Sequence, residues 1–399
     1  MNATPISTDE KAIDELLTRG VSEVIVKDDL HKKLLSGRQL RVKLGIDPTS
    51  PDLHLGRAVP LLKLRDFQNL GHQVVFIVGD FTAVIGDTSD KEAERPMLAK
   101  EVIEKNKEHY FEQAGKILDL SRVEMRYNSE WLSPLTYREI GEHADLFSVA
   151  DFIARENIAK RLTAGKRVSL RELLYPLMQG YDSVMVEADV ELGGTDQKFN
   201  VLAGRPLQQH FNQEPQNVVL GPLIDGLDGA KMSSSRGNTI ALTAEPSYMY
   251  GQVMSMNDAL VVNYFEVCTR LPMSEVEEIK NALAGGALHP KDAKMRLARE
   301  IVAMYHRKEA AQKAEEDWTK TFSEGGVPES VDQMSIQRGG TYAMALESLG
   351  ESKSELRRLA EAGAISEVSG EKIIDLNKSI ERDIVLRIGK HRFLKIVVK

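Results

Sequence analysis

The sequence predicts an α/β fold: a doubly wound parallel sheet, followed by an α-helical domain and a small α+β module at the C-terminal end. Three observations predict it. Short, β-branched apolar runs alternate with helix-like stretches through roughly the first 225 residues, the rhythm of strand–helix–strand units. Beyond about Thr243 the pattern turns helical, interrupted by Pro272 and by Gly285-Gly286. After a Gly- and Pro-containing stretch at 323–328, the chain closes on an alternating run at 393–398.

In order, residues 41–46 read as a buried strand, 55–70 as an amphipathic helix stopped by Gly71, and 73–78 as a second strand. Further strands are expected at 123–127, 183–190 and 218–220, with helices on both faces of the sheet. Helices are expected at 246–256, 258–271, 274–284 and 290–321, and a last one at 353–362. The expected domains are residues 1–242, residues 243–322 and residues 336–399, with 323–335 as linker.

The bulk composition narrows the class. A chain of 399 residues, 42% hydrophobic and 28% charged, is that of a globular protein with two or three cores. No window approaches 18 uninterrupted apolar residues, and residues 1–10 lack the basic start and apolar run of a secretory signal. The single Cys268 excludes an intramolecular disulfide and a cysteine-built zinc site. These features predict a cytoplasmic protein. The net charge of −8 argues against a protein that coats nucleic acid over its whole surface. Residues 336–399 nevertheless hold 12 Lys+Arg against 9 Asp+Glu, a basic tail suited to local contact with a polyanion.

Two motifs fall where ligands bind in such a sheet, beyond the carboxyl ends of strands. The first is Asp47-Pro48-Thr49-Ser50-Pro51-Asp52-Leu53-His54-Leu55-Gly56-Arg57. Its two outer prolines stiffen the turn, and the helix that starts near His54 offers unpaired N–H groups to phosphate. His54 can donate a hydrogen bond there, and Gly56 leaves room for a flat base. The second is Lys231-Met232-Ser233-Ser234-Ser235, after Gly226, Asp228 and Gly229. A cation and three hydroxyls can grip a pyrophosphate leaving group, but the GxxxxGK spacing of a Walker A loop is absent. Taken singly, the first motif is also a capped helix with an incidental histidine, and the second a solvated serine-rich loop.

Together the two motifs resemble the paired signatures of the class I aminoacyl-tRNA synthetases, with a Rossmann-like catalytic domain. The chain between them resembles the bacterial tyrosyl branch. Val78-Gly79-Asp80-Phe81-Thr82, Ile85-Gly86-Asp87, Tyr175-Pro176-Leu177-Met178-Gln179-Gly180-Tyr181-Asp182 and Gly193-Gly194-Thr195-Asp196-Gln197 follow its pattern in order and spacing. The resemblance is strong over roughly residues 30–270 and weak to the end, where the tail is similar to an S4-like RNA-binding domain. It implies ATP with Mg²⁺, L-tyrosine and tRNA(Tyr) as partners, with no tightly bound protein metal. It also implies a homodimer formed through about residues 125–180, and an anticodon-binding type of helical domain.

Site roles follow from the same resemblance. Asp87, Tyr175 and Gln179 match residues that hold the amino group of tyrosine, Asp182 the acceptor for its phenol, and Gln197 a further contact. Gly45, Asp47, Gly56, Gly193 and Asp196 match the adenosine side. Thr49, His54 and Lys231 match groups that stabilise the transition state, and Lys91 and Arg95 match mobile-loop cations. Met232, Ser233 and Ser234 belong to the nucleotide-facing loop.

The chain departs from the commonest family form at three places. Arg57 replaces a second histidine, Ser234 replaces a second loop lysine, and Lys43 stands where some bacterial members place a tyrosine against the phenol. Arg57 is expected to face the nucleotide and supply part of the phosphate-directed charge missing at Ser234, and Lys43 is given no phenol-binding role. Two rival readings share some of these features: a nucleotidylyltransferase of the HxGH superfamily, and a catalytically inactive synthetase-like RNA-binding protein.

Overall fold

The computed structural model describes residues 5–88, 97–230, 232, 237–323, 332–347, 353–368, 370–389 and 392–398. The chain divides into two units: Met1–Thr243 with Ala259–Ala284, and Ala244–Asp258 with Gly285–Lys399. Residues 259–284, expected with the helical domain, therefore pack with the sheet. The reason is apolar: the helix Val261–Cys268 buries Val261, Tyr264, Phe265, Val267 and Cys268. Buried Arg19 pins the same segment by donating to the carbonyls of Glu266, Thr269 and Leu271.

Among the described residues the first unit holds one six-stranded sheet. Its strands are β1 (Glu23–Ile25), β2 (Arg41–Ile46), β3 (Gln73–Val78), β4 (Val123–Tyr127), β5 (Val190–Gly194) and β6 (Asn217–Gly221), in the order β1-β6-β5-β2-β3-β4. β2 to β6 run parallel, as expected for a doubly wound sheet, and β1 is antiparallel to β6. β1, three residues long, shows no period in the sequence. The order reverses between β2 and β5, so a crevice opens beyond the carboxyl ends of these two strands.

The strand expected at 183–190 is displaced. Residues 183–185 continue the helix Leu170–Met185, and the strand is Val190–Gly194. The helix is nucleated by a capping box in which Ser169 and Glu172 satisfy each other's backbone N–H groups. It ends where Glu187 takes a left-handed conformation, φ 49°, and turns the chain into β5. The helix Leu55–Asn69 has His54 as its N-cap, and packs on β2, β3 and β5 through buried Leu55, Ala58, Leu61, Leu62 and Leu64.

In the second unit the helix expected at 290–321 is two helices, Pro290–His306 and Lys308–Ser323, broken at Arg307, which has φ 75°. The helix expected at 258–271 is a 3₁₀ turn, Asp258–Leu260, followed by Val261–Cys268. The C-terminal module has strands β7 (Asp332–Ile336), β8 (Ile365–Glu367), β9 (Ile384–Ile388) and β10 (Arg392–Val398), in the order β7-β10-β9-β8. With the helices Tyr342–Glu347 and Lys353–Glu361 it closes its own core around Leu346, Leu356, Ile365, Leu386, Leu394 and Ile396. Among the described residues no helix is long and apolar enough to cross a membrane.

Candidate active site

A cavity of about 340 Å³ lies at the crevice between β2 and β5. Gly45 and Asp47 reach it from the end of β2, Gly193 from β5, and Asp196 and Gln197 from the turn after β5. Thr49, His54, Gly56 and Arg57 line it from the first motif, Asp87 from the loop after the helix Asp80–Ile85, and Met232 from the second motif. Tyr175, Gln179 and Asp182 line it from one face of the helix Leu170–Met185, as their spacing of four and then three residues requires. Lys91, Arg95, Lys231, Ser233 and Ser234 lie outside the described residues.

Asp182 is buried, and its Oδ1 accepts a 2.7 Å hydrogen bond from the indole Nε1 of Trp131. Asn128 Nδ2 lies 3.4 Å from Oδ2 and donates a firmer bond, 2.9 Å, to Thr82 Oγ1. Thr82 donates to Asp47 Oδ1 at 2.7 Å, and the Tyr175 hydroxyl donates to Asp47 Oδ2 at 2.9 Å. A continuous hydrogen-bonded chain thus joins the two acids. Burial raises both. Asp182 is pushed up to about 7 against the opposing effects of Lys43, Trp131 and Asn128. Asp47 is pushed up to about 6 against its bonds from Thr82 and Tyr175. Both carboxyls therefore gain strength as acceptors when a donor arrives.

Three acceptors line the next part of the cavity. The Tyr175 oxygen donates its proton to Asp47 and keeps its lone pairs. Asp87 Oδ2 accepts from Gln197 Nε2 at 2.8 Å, while Asn200 Nδ2 approaches both Asp87 and Gln197. Gln179 directs its Nε2 away, to Glu191 Oε1 at 3.0 Å. These groups suit an ammonium ion.

The other side is built by the two motifs. Leu55 N donates to Ile240 O and Leu242 N to Leu53 O, so residues 53–55 pair with 240–242. This tether brings the second motif over the first: a Cβ on Gly56 would lie 2.8 Å from Met232 Sδ. The base of the second motif is held by Asp228 Oδ1, which accepts from Ala230 N and Asn238 Nδ2. Burial, then the charge of Arg57, lowers His54 to about 4, so it is neutral near pH 7. Its Nδ1 is buried with no hydrogen-bond partner among the described residues.

Arg57 lines the cavity, and its Nη1 and Nη2 donate to the first motif and to Tyr110. Nη1 donates to the Asp47 carbonyl at 2.9 Å and to the Tyr110 hydroxyl at 2.6 Å, and Nη2 donates to Thr49 Oγ1 at 2.7 Å. Tyr110 in turn donates to the Ser50 carbonyl. The expectation that Arg57 directs its charge at phosphate meets a different geometry: the guanidinium clamps the 47–50 loop.

Several residues escape sequence reasoning. Trp131, Asn128 and Tyr110 are remote in sequence from the motifs they support, and Thr82, although within the Val78–Thr82 motif, gives no sign in the sequence of its bond to Asp47. Glu191 is a charged residue inside a strand, and only its buried partner Lys43 makes sense of it. That pairing is legible only once β2 and β5 are known to be neighbours.

The comparisons with known proteins agree with this geometry. The family model described as tRNA synthetases class I (W and Y) matches residues 35–323. A tyrosine–tRNA ligase of Dehalococcoides mccartyi is 44% identical over 393 residues, covering 97% of this chain and 99% of that protein. One from Moorella thermoacetica is 45% identical over 391 residues, covering 96% and 94%. Among solved structures, a C-terminally truncated Aspergillus nidulans mitochondrial tyrosyl-tRNA synthetase shares the fold, with a TM-score of 0.65 at 22% identity, covering 78% of this chain and 94% of that one. Neither rival reading, nucleotidylyltransferase or inactive RNA-binding protein, is favoured by these matches. The chain belongs to the tyrosyl-tRNA synthetase family, within the class I synthetases.

Proposed function

We propose that this enzyme activates L-tyrosine with ATP to form tyrosyl-adenylate, and then passes tyrosine to the 3′ end of tRNA(Tyr). The observation that carries the reading is the pairing of buried Asp182, at the cavity wall, with acceptors at Asp87, Tyr175 and Gln179. Asp182 accepts a hydrogen bond from the phenol, and the other three receive the ammonium. A phenylalanine would leave Asp182 desolvated and without that donor.

The chemistry asks the protein for position and charge. The tyrosine carboxylate attacks the α-phosphorus of ATP, the bond to the bridging oxygen breaks, and pyrophosphate leaves with its Mg²⁺. No protein nucleophile takes part, so rate comes from alignment and from donors aimed at developing charge. Gly56, Gly45 and Gly193 leave space for the adenosine, with Asp47 and Asp196 beside it. Thr49 and neutral His54 serve the phosphates, and Lys231, outside the described residues, carries the phosphate role that the family resemblance gives it. Met232 lines the nucleotide side, and Lys91, Arg95, Ser233 and Ser234, outside the described residues, keep the nucleotide roles implied by the resemblance. A hydroxyl of the terminal ribose of tRNA then displaces AMP from the adenylate.

The enzyme is a cytoplasmic homodimer in this reading. Tyr137, Val149 and Leu170, 96%, 65% and 72% exposed, supply apolar surface in the expected segment and support the dimer. The tail is S4-like and serves tRNA. The self-contained core of residues 332–398 and its basic balance support that role. The test is ligation of radiolabelled tyrosine to tRNA by the full chain and by a chain ending at 331. The full chain should charge tRNA. The shortened chain should still form adenylate but charge tRNA weakly, with a loss that is greatest at low salt and shrinks as salt rises. A full chain that cannot charge tRNA with tyrosine overturns the reading.

A further inference from the structure

Beneath the cavity, Lys43 of β2 and Glu191 of β5 are register partners on adjacent parallel strands. Both are buried, 0% and 1% exposed, and neither lines the cavity. The Lys43 ammonium spends its three donors on the Gln179 carbonyl at 2.8 Å, Ser183 Oγ at 2.7 Å and Glu191 Oε1 at 3.1 Å. Glu191 Oε1 also accepts from the Gln179 side-chain Nε2, and Oε2 accepts from Ser183 Oγ and Gln216 Nε2. All five hydrogen bonds to or from these two charged groups that involve other residues end on Gln179, Ser183 or Gln216, and Gln179 alone is gripped at both backbone and side chain.

An amide side chain can present either its oxygen or its nitrogen to a site, because the two faces have nearly the same shape. An ionised carboxylate accepts only, so Glu191 forces the Gln179 NH₂ toward itself and turns Oε1 the other way. That oxygen accepts no hydrogen bond from the described residues. Lys43 Nζ, 3.1 Å from Glu191 Oε1, is the buried cation that pairs with it.

We propose that the buried Lys43–Glu191 pair is a positioning device for substrate recognition: it sets the polarity of Gln179, so that the cavity presents an acceptor to the α-ammonium group of the amino acid. Neither member touches substrate. Lys43, which stands where some bacterial members place a tyrosine, thereby acts on the ammonium end of the ligand through Gln179, beside its charge effect on Asp182. The inference rests on the tyrosine reading given above.

The probes are L-tyrosine and 3-(4-hydroxyphenyl)propionate, the same molecule without its ammonium, with binding to the full chain measured by calorimetry. Lys43→Met/Glu191→Leu removes both charges together and keeps the volume. Its affinity for tyrosine should fall by roughly 10-fold or more, the worth of one hydrogen bond to a charged group, while affinity for the propionate, which reads the separate effect of these two charges on Asp182, should fall distinctly less. Adding Gln179→Met to that background should cost little more, because the lost contact is already gone. Glu191→Gln, which keeps shape and frees the amide to turn, should show the same selective loss and carries the test if the paired variant does not fold. Equal losses for both ligands would make the pair merely structural, and unchanged tyrosine affinity would remove any role; either result overturns the proposal. Wild-type protein that binds neither probe would refute the tyrosine reading itself.

Discussion

The indole Nε1 of Trp131 donates to Asp182 Oδ1 across 2.7 Å, with both side chains buried. This donor favours the ionised form of a carboxyl that burial pushes the other way. Trp131→Phe keeps an aromatic ring in the cluster with Val75, Ile77 and Leu132 but removes the donor. Tyrosine affinity near neutral pH should fall by roughly 10-fold, and weak binding of phenylalanine should change little. Equal losses for the two amino acids in titration calorimetry would point to disrupted packing instead.

Asp182 also predicts a pH dependence. Its ligand-free carboxyl sits at about 7. A phenol donor favours the carboxylate, so the bound state has the lower pKa and binding releases a proton when pH is near or below that value. Tyrosine affinity should therefore weaken as pH falls through about 7 and level off above it. Ligand-free stability follows the opposite sense: the contribution of a raised carboxyl is complete below its unfolded value and is lost as pH rises through about 7. Dissociation constants between about pH 5.5 and about pH 8.5 should show the first trend, and Asp182→Asn should abolish it. A flat wild-type profile counts against Asp182 as the phenol acceptor.

His54 is neutral and its buried Nδ1 lacks a partner among the described residues. His54→Ala should slow single-turnover adenylate formation by roughly 10²–10³, the effect of removing one preorganised donor. Tyrosine binding should be almost unchanged, because His54 stands on the nucleotide side. Rapid-quench measurement checks both. An unaltered rate would reduce His54 to a residue that starts a helix.

Arg57 binds the Asp47 carbonyl and the Thr49 hydroxyl, so its effect on rate should run through the loop. Arg57→His should lower the activation rate, and Ser234→Lys should not rescue it. In a double-mutant cycle the two changes should add within about 0.3–0.5 kcal/mol. A larger favourable coupling would show that Arg57 replaces phosphate-directed charge after all.

Much of this is legible in the sequence. β2, β3, β4 and β6 stand out because each is a short apolar or half-buried run after a turn or loop. β5 does not: Val190-Glu191-Leu192-Gly193-Gly194 carries a charge and two glycines, and the stronger apolar signal just before it belongs to the end of a helix. Only the buried partner Lys43, contributed by a strand some 150 residues earlier, explains a glutamate there. The cavity residues Tyr175, Gln179 and Asp182 are legible through the family resemblance of their motif, and their shared helical face emerges only with the helix Leu170–Met185. Trp131, Asn128 and Thr82 are not, because their partners are set by tertiary packing. The second unit is less legible still: nothing near Arg307 marks a helix break except the conformation the chain adopts there.

In the proposed function the cavity selects tyrosine for activation by ATP. Amino-acid-dependent exchange of pyrophosphate into ATP tests it most directly, run with tyrosine, phenylalanine and tryptophan on wild-type protein and Asp182→Ala. Wild-type exchange should depend on tyrosine, with phenylalanine and tryptophan orders of magnitude weaker, and Asp182→Ala should narrow the gap between tyrosine and phenylalanine. Exchange that is absent with tyrosine, or equal with phenylalanine, would contradict the account.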